Sequence, residues 1–134
     1  MASSADALIT AAAAVRAHAY APYSRLKVGA AIRAADGRIF VGANVENAAY
    51  PEGLCAEAGA IAAMVAGGAT RIAEMAVIVE GADPAPPCGG CRQRIAEFAG
   101  PETEIHLATV AGARKAVRLK DILPLAFGAS NLPK

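Results

Sequence analysis

The chain contains three cysteines, and their types and spacing indicate a metal site. Cys88 and Cys91 form a C-x-x-C motif, and Cys55 stands two positions before Glu57 in a separate motif. A structural zinc site normally has four protein ligands, whereas a catalytic zinc takes three and keeps one position for water. Three thiolates beside a carboxylate that carries protons without acting as a ligand therefore predict one catalytic zinc ion per chain.

Other interpretations of the same cysteines stay open at this point. A C-x-x-C motif alone is also typical of thiol redox proteins, in which Glu57 would have no function. A structural zinc site in a non-catalytic interaction module is a further possibility, with His18 or His106 as the fourth ligand. Glu57 could also serve only as a residue that stabilises the start of its helix.

Helices are predicted to position both cysteine motifs. One is expected over residues 55–66, ended by two glycines, and another over residues 89–99. Both motifs thus fall at helix starts, where side chains lean toward the helix N-terminus and the partial charge is positive. Two such ends meeting at one point are expected to lower the pKa of the thiols.

The remaining elements indicate an α/β fold. A helix capped by Ser3 or Ser4 is predicted to run to about residue 19, and Asp36-Gly37 predicts a tight hairpin. Strands are expected over residues 28–34, 39–43, 73–79, 104–110 and 116–119, with a turn of helix from residue 121. This order predicts a mixed sheet with helices on both faces.

The composition predicts one domain over residues 1–134 with closely packed elements. The hydrophobic fraction is 55%, but 36 of the 134 residues are alanine. Because large apolar side chains are scarce, helices and sheet are expected to approach closely through small residues. So thin a core also favours an oligomer.

Charge and targeting signals narrow the possible partners. The net charge is +1, from 13 basic and 12 acidic residues. This balance argues against a nucleic-acid partner and for a small neutral substrate. The N-terminus lacks the basic start of a secretory signal, and the early apolar run over residues 9–15 is too short to cross a membrane. An odd number of cysteines with a C-x-x-C motif favours a reducing, cytoplasmic location.

A polar segment follows the predicted hairpin. Asn44 and Glu46 alternate in an extended stretch, so their side chains are expected to point the same way, toward one ligand. The alternative is that both side chains only fix the conformation of the loop.

These motifs together resemble a known enzyme family. Zinc nucleobase deaminases have an H-x-E…P-C-x-x-C signature, and the chain matches it with Cys55 in place of the histidine. The chain is similar to the small homotetrameric cytidine deaminases from about residue 19 to residue 128. The matching segments are Ala19-Tyr20-Ala21-Pro22-Tyr23-Ser24, Val28-Gly29-Ala30-Ala31, Asn44-Val45-Glu46-Asn47-Ala48, Cys91-Arg92-Gln93, Leu123-Pro124 and Phe127-Gly128.

The resemblance implies a fold and a reaction. It implies a three-layer α/β/α domain with a five-stranded mixed sheet. Cytidine and 2′-deoxycytidine are the implied substrates, hydrolysed to uridine and 2′-deoxyuridine with release of ammonia in pyrimidine salvage. Cys55, Cys88 and Cys91 correspond to the zinc ligands, and Glu57 corresponds to the residue that shuttles protons.

The same resemblance implies a substrate site shared between subunits. Asn44 and Glu46 correspond to residues that hold the ribose 3′-hydroxyl. Backbone groups of Ala56 and Pro86 correspond to positions that hydrogen-bond the cytosine edge. Phe127 corresponds to an aromatic residue that closes over the base from a neighbouring subunit of the homotetramer.

Two positions depart from the family pattern. Ala58 stands where many members have an arginine that hydrogen-bonds a thiolate, so Arg92, Gln93 or Arg94 is expected to compensate. Leu26 stands where phenylalanine is common, so the wall against the base is less flat. These departures leave open a relative that acts on another aminopyrimidine nucleoside, such as a blasticidin-type antibiotic.

Overall fold

A computed structural model describes residues 3–133. Within that range the strands are β1 (Val28–Ala34), β2 (Ile39–Ala43), β3 (Ile72–Val79), β4 (Glu104–Thr109) and β5 (Arg114–Arg118). The helices are α1 (Ser4–Arg16), α2 (Ala56–Ala66), α3 (Gly89–Phe98) and α4 (Leu119–Ile122), with short 3-10 turns at Tyr50–Glu52 and Ala129–Asn131. None of the helices in this described part of the chain has the length and hydrophobicity that a membrane crossing needs.

The five strands form one mixed sheet in the order β2-β1-β3-β4-β5. β3 and β4 are parallel, and every other neighbouring pair is antiparallel. The hairpin of β1 and β2 turns through Gly37, whose φ of 92° is strained for any residue with a side chain. The predicted mixed sheet of five strands is therefore confirmed.

Helices cover both faces of the sheet. Successive side chains of a strand point to opposite faces, and Ala30 and Ala31 of β1, both fully buried, accordingly belong to two separate cores. The core that contains Ala31 packs against α1, whereas the core that contains Ala30 packs against α2 and α3. The predicted three-layer α/β/α arrangement is confirmed.

Small residues allow the helices to approach the sheet closely. A Cβ atom on Gly42 of β2 would lie 2.3 Å from the backbone nitrogen of Ala60 and 2.4 Å from the carbonyl oxygen of Ala56, both in α2. A Cβ atom on Gly29 of β1 would lie 2.0 Å from the carbonyl oxygen of Ala12 in α1. On both faces of the sheet, the backbone of a strand therefore lies directly against the backbone of a helix, as the alanine-rich composition predicts.

Several element boundaries differ from the sequence prediction, and β5 lies over Arg114–Arg118 rather than residues 116–119. Helix α1 starts at the predicted cap, where Ser3 and Asp6 form a capping box, but it ends at Arg16 rather than near residue 19. The chain leaves the helix because the Tyr20 N–H donates to the Asn44 carbonyl oxygen, at 2.9 Å. Helix α4 starts at Leu119, two residues early, because Asp121 accepts a hydrogen bond from the backbone N–H of Arg118 at 2.9 Å.

Candidate active site

The three cysteines meet where α2 and α3 begin. Cys55 is the N-cap residue of α2, Cys88 is the N-cap residue of α3, and Cys91 lies in the first turn of α3. Their sulfur atoms all lie within 4.8 Å of one another. Cys91 is fully buried, Cys55 is half-buried and Cys88 is exposed. The predicted meeting of two helix starts at one cluster of sulfurs is therefore confirmed.

This cluster suits a zinc ion. Zinc prefers sulfur and nitrogen ligands in a tetrahedral arrangement, and Zn–S bonds of about 2.3 Å place neighbouring sulfurs about 3.8 Å apart. The upper limit of 4.8 Å on the sulfur separations is compatible with that geometry. Over residues 3–133 no histidine, cysteine or carboxylate joins the cluster as a fourth ligand. Three sulfurs with one coordination position left for a small molecule are the ligand set of a catalytic site.

The thiol pKa values differ from the sequence prediction. The pKa of Cys88 is lowered, chiefly because the backbone N–H of Cys91 donates to its sulfur. Burial raises the pKa of Cys55 and of Cys91, so the expected lowering is wrong for these two residues. At these two residues the cost of removing a thiolate from water is greater than the stabilisation by the partial positive charge of the helix N-termini. Binding of a cation is therefore needed to hold both as thiolates.

Glu57 lies in the first turn of α2, beside the sulfurs. It is 5% exposed and lines the same cavity as Cys55 and Cys88. Burial raises the pKa of its carboxyl, while the charge of Arg94 lowers it to a smaller degree. A carboxyl whose pKa moves toward neutrality can both take up and release a proton, as a general acid and base must.

A cavity of about 650 Å³ opens in front of Glu57 and the sulfurs. This volume lies within the range of small-molecule sites. Five of the predicted substrate residues line it, namely Leu26, Asn44, Glu46, Ala56 and Pro86. The sixth, Phe127, does not line the cavity of its own chain, and its side chain is 57% exposed.

Asn44 and Glu46 brace the rim of this cavity. Asn44 accepts a hydrogen bond from the backbone N–H of Val28 at 2.8 Å and donates to the carbonyl oxygen of Leu26 at 2.7 Å. One oxygen of Glu46 accepts from the backbone N–H groups of Tyr23 and Ser24, at 2.9 and 3.1 Å, and the Ser24 hydroxyl donates to the other. Both side chains therefore hold the loop, and both also face the cavity.

Sequence reasoning did not assign several residues that line the cavity. Tyr23 and Tyr50 stand on its rim in an edge-to-face pair, with ring centroids 6.3 Å apart. Val77 and Val79 of β3 also line it. The alternation of β3 could have identified the two valines, since residues two apart share a face. The tyrosines come from separate loops, and no local pattern in the sequence joins them.

A buried carboxyl next to a cluster of metal-binding sulfurs is an arrangement that hydrolytic metalloenzymes use. The family model of the cytidine and deoxycytidylate deaminase zinc-binding region matches residues 2–107. The chain therefore belongs to the cytidine and deoxycytidylate deaminase family, and zinc is its metal.

Individual relatives agree with this family over most of the chain. A cytidine deaminase of Halalkalibacterium halodurans is 38% identical over 125 residues, which cover 93% of this chain and 95% of that protein. One from Mycobacterium tuberculosis is 41% identical over 118 residues, covering 88% of this chain and 85% of the relative. The crystal structure of cytidine deaminase from Burkholderia pseudomallei superimposes with a TM-score of 0.86 at 45% identity, covering 90% of this chain and 97% of that one.

Proposed function

We propose that the protein hydrolyses cytidine and 2′-deoxycytidine to uridine and 2′-deoxyuridine, with release of ammonia, in pyrimidine salvage. The observation that carries this proposal is the position of buried Glu57 beside the three sulfurs, at one end of a cavity large enough for a small molecule. Residues 1–134 act as one domain in this proposal, and the reducing conditions that free thiols need favour a cytoplasmic location.

Cys55, Cys88 and Cys91 are the proposed zinc ligands. The bound metal supplies a Lewis acid that brings the pKa of a water at the open position toward neutrality. The chain's own contribution is to hold three soft donors in place on two helix starts, and to leave the fourth position facing the cavity.

Glu57 is the proposed proton carrier of the reaction. Its carboxylate takes a proton from the attacking water and gives it to N3 of the cytosine ring, while the water oxygen bonds to C4. It then moves the second proton of that oxygen to the amino group on C4, and the C–N bond breaks as ammonia leaves. The product keeps one proton on N3 and a carbonyl at C4, so atoms and charges balance. The raised pKa of Glu57 favours this double role.

Backbone groups beside the sulfurs are proposed to bind the base. Ala56 is the first residue of α2, and the first N–H groups of a helix have no partner within the helix. Ala56 and Pro86 both line the cavity. In this proposal the N–H of Ala56 and the carbonyl oxygen of Pro86 provide a donor and an acceptor for the cytosine edge. The side chain of Leu26 forms an apolar wall against the ring.

Asn44 and Glu46 are proposed to hold the ribose 3′-hydroxyl. The amide of Asn44 has a second N–H to donate after its bond to Leu26. Hydrogen bonds, first of all from the Ser24 hydroxyl, lower the pKa of Glu46, so it remains an ionised acceptor at neutral pH. A pair with these bonds favours an ordinary ribose over the modified sugar of a blasticidin-type antibiotic.

The cavity is proposed to be completed by a second copy of the chain in a homotetramer. Large apolar side chains remain on the surface, among them Leu125, Phe127 and Tyr50, which are 97%, 57% and 77% exposed. In this proposal Phe127 of one subunit closes over the base bound by another. Mixing Glu57→Gln chains with Phe127→Ala chains tests it, because hybrid oligomers then contain some sites with both native residues. Activity above the sum of the two separate variants supports the shared site, and no gain on mixing contradicts it.

Metal analysis coupled to ammonia release tests the function directly. The expected result is one zinc per chain, ammonia release from cytidine, and loss of both after chelation, with recovery when zinc is returned. Competition between cytidine and a blasticidin-type nucleoside distinguishes the two substrate classes. Bound zinc without deamination would instead indicate a non-catalytic interaction module in which zinc only stabilises the fold. A reversible Cys88–Cys91 disulfide without bound metal would indicate a redox protein.

A further inference from the structure

Arg94 is the residue that brings a positive charge to the cysteine cluster. It lies one turn after Cys91 on α3, and residues three apart share a face of a helix. Its Nη1 donates a hydrogen bond to the sulfur of Cys91 at 3.5 Å. Among the hydrogen bonds of residues 3–133, this is the one that joins a cationic side chain to a sulfur.

The neighbours of Arg94 are engaged elsewhere. Arg92 donates to the carbonyl oxygens of Pro87 and Ile122, at 2.8 and 2.9 Å. Gln93 donates to the carbonyl oxygen of Phe127 at 2.9 Å. Of the three residues that the sequence left as candidates for balancing the thiolates, the structure therefore selects Arg94.

The Arg94 side chain passes over Gly90. A Cβ atom at Gly90 would lie 3.5 Å from Arg94 Nη1, which is van der Waals contact. The guanidinium therefore folds back along α3 toward its N-terminus, over a residue that has no side chain. Helical side chains prefer this direction, so the contact with Cys91 costs little strain.

The cluster needs a positive charge from outside its own ligands. Three thiolates around a divalent zinc carry a net charge of about −1. Helix α2 contributes no cation next to Glu57, where the buried residue is Ala58. A hydrogen bond from a guanidinium to a thiolate withdraws electron density from the sulfur, as outer partners of metal ligands generally tune the ligands they contact.

We propose that Arg94 is a positioning residue of the deaminase site, acting through Cys91 to offset the charge of the three thiolates. This inference rests on the proposed function and adds a residue to it. Without Arg94 the negatively charged zinc complex is less stable relative to the metal-free thiols. The sulfurs also donate more charge to the metal, which weakens its action on the attacking water.

Zinc affinity provides a readout that does not depend on turnover. In competition with a chromogenic chelator, Arg94→Gln should bind zinc about tenfold more weakly than the wild type, at the low end for residues that contact metal ligands. Arg94→Met keeps the apolar stem and should show the same loss. Arg94→Lys keeps the charge with a single donor, and should recover part of the affinity.

Kinetics at saturating zinc test the second half of the proposal. In Arg94→Gln, kcat should fall about tenfold with KM for cytidine unchanged, because the arginine acts through Cys91 on the activation of water and not on substrate binding. The matched control is Arg71→Gln, which removes the same charge from an exposed site before β3 and should leave zinc affinity and kcat unchanged.

The outcomes separate this inference from the function on which it rests. Equal zinc affinity in wild type and Arg94→Gln, in an enzyme that deaminates cytidine, overturns the role of Arg94 alone. An equal loss in Arg71→Gln overturns it too, because the effect would then be one of net charge. A wild-type chain that holds no zinc or releases no ammonia from cytidine overturns both proposals.

Discussion

The sheet carries a group of three potential metal ligands at each end of β3. At the carboxyl end are the sulfurs of Cys55, Cys88 and Cys91, and at the amino end are Glu74, Glu104 and His106. In both groups the ligand atoms lie within 4.8 Å of one another. Number and proximity of ligands therefore do not distinguish the two ends.

Charge balance and access do distinguish them. Glu74 already has partners, since it pairs with His106 at 2.7 Å and with Arg33 at 3.5 Å, and it accepts from the Ser4 hydroxyl at 3.4 Å. The sulfur end has a cavity and two helix N-termini, and in open α/β sheets ligands bind outside the carboxyl ends of the strands. A metal site thus requires open space beside its ligands as well as suitable ligand types.

The largest expected effect comes from exchanging one ligand at each end. Cys91→Ser should lower zinc affinity by more than about a hundredfold and abolish turnover, because a serine hydroxyl binds zinc much more weakly than a cysteine thiolate does. His106→Ala should keep one zinc per chain. Metal analysis after gel filtration checks both variants. A similar loss of zinc from both variants would show that the two ligand groups do not differ in metal binding as we expect.

Matched exchanges of glutamate should separate catalysis from stability. Glu57→Gln should lower kcat by about 10²–10⁴ and retain zinc, because the amide carries no proton between water and base. Glu74→Gln should leave kcat intact but lower the free energy of unfolding by about 1–3 kcal/mol, since Arg33 and His106 lose a charged partner. Steady-state kinetics and urea unfolding measure the two effects. Near-native turnover of Glu57→Gln would remove its assigned role.

A single methyl group should affect the sulfur end more than the opposite end. Gly42→Ala forces α2 away from β2, so we expect a loss of about 1–3 kcal/mol in stability and a lower kcat, because Glu57 moves with the helix. Gly100→Ala, near the start of β4, has nothing within 4 Å of the added atom and should change neither. Thermal unfolding and kinetics compare the two, and equal stability would contradict the close approach of α2.

The smallest effect concerns acid stability at the cavity rim. The Ser24 hydroxyl and two backbone N–H groups lower the pKa of Glu46 from its ordinary value of 4.5. A lowered folded-state pKa contributes stability above the unfolded value, which is lost as the pH falls through the folded one. Glu46→Gln and Ser24→Ala should therefore lose less stability than the wild type below pH 4.5. Melting curves at decreasing pH check this, and parallel losses in all three proteins would exclude the effect.

Local chemistry made much of the fold predictable from the sequence. β1 and β2 were predicted with their observed bounds, because runs of apolar residues flank the turn residues Asp36-Gly37. The cysteine motifs were correctly placed at helix starts, since glycine and proline mark the ends of the neighbouring segments. These features depend on residues that are close together along the chain.

The features that the sequence missed depend on contacts between distant segments. The thiol pKa values depend on burial, which is set by tertiary packing and cannot be derived from the secondary-structure preferences of neighbouring residues. Spacing alone could not show which of Arg92, Gln93 and Arg94 contacts a sulfur, because all three are polar and consecutive. The pairing of Tyr23 with Tyr50 joins two loops through the tertiary fold.

Helix α3 joins two parts of the molecule that are distant in sequence. It carries Cys91, and its next two side chains hold the carbonyl oxygens of Ile122 and Phe127. These hydrogen bonds attach the C-terminal segment to the same helix that carries two of the sulfurs. A tilt of this helix would displace the sulfurs and the C-terminal segment together, so a mutation that moves one of them also moves the other.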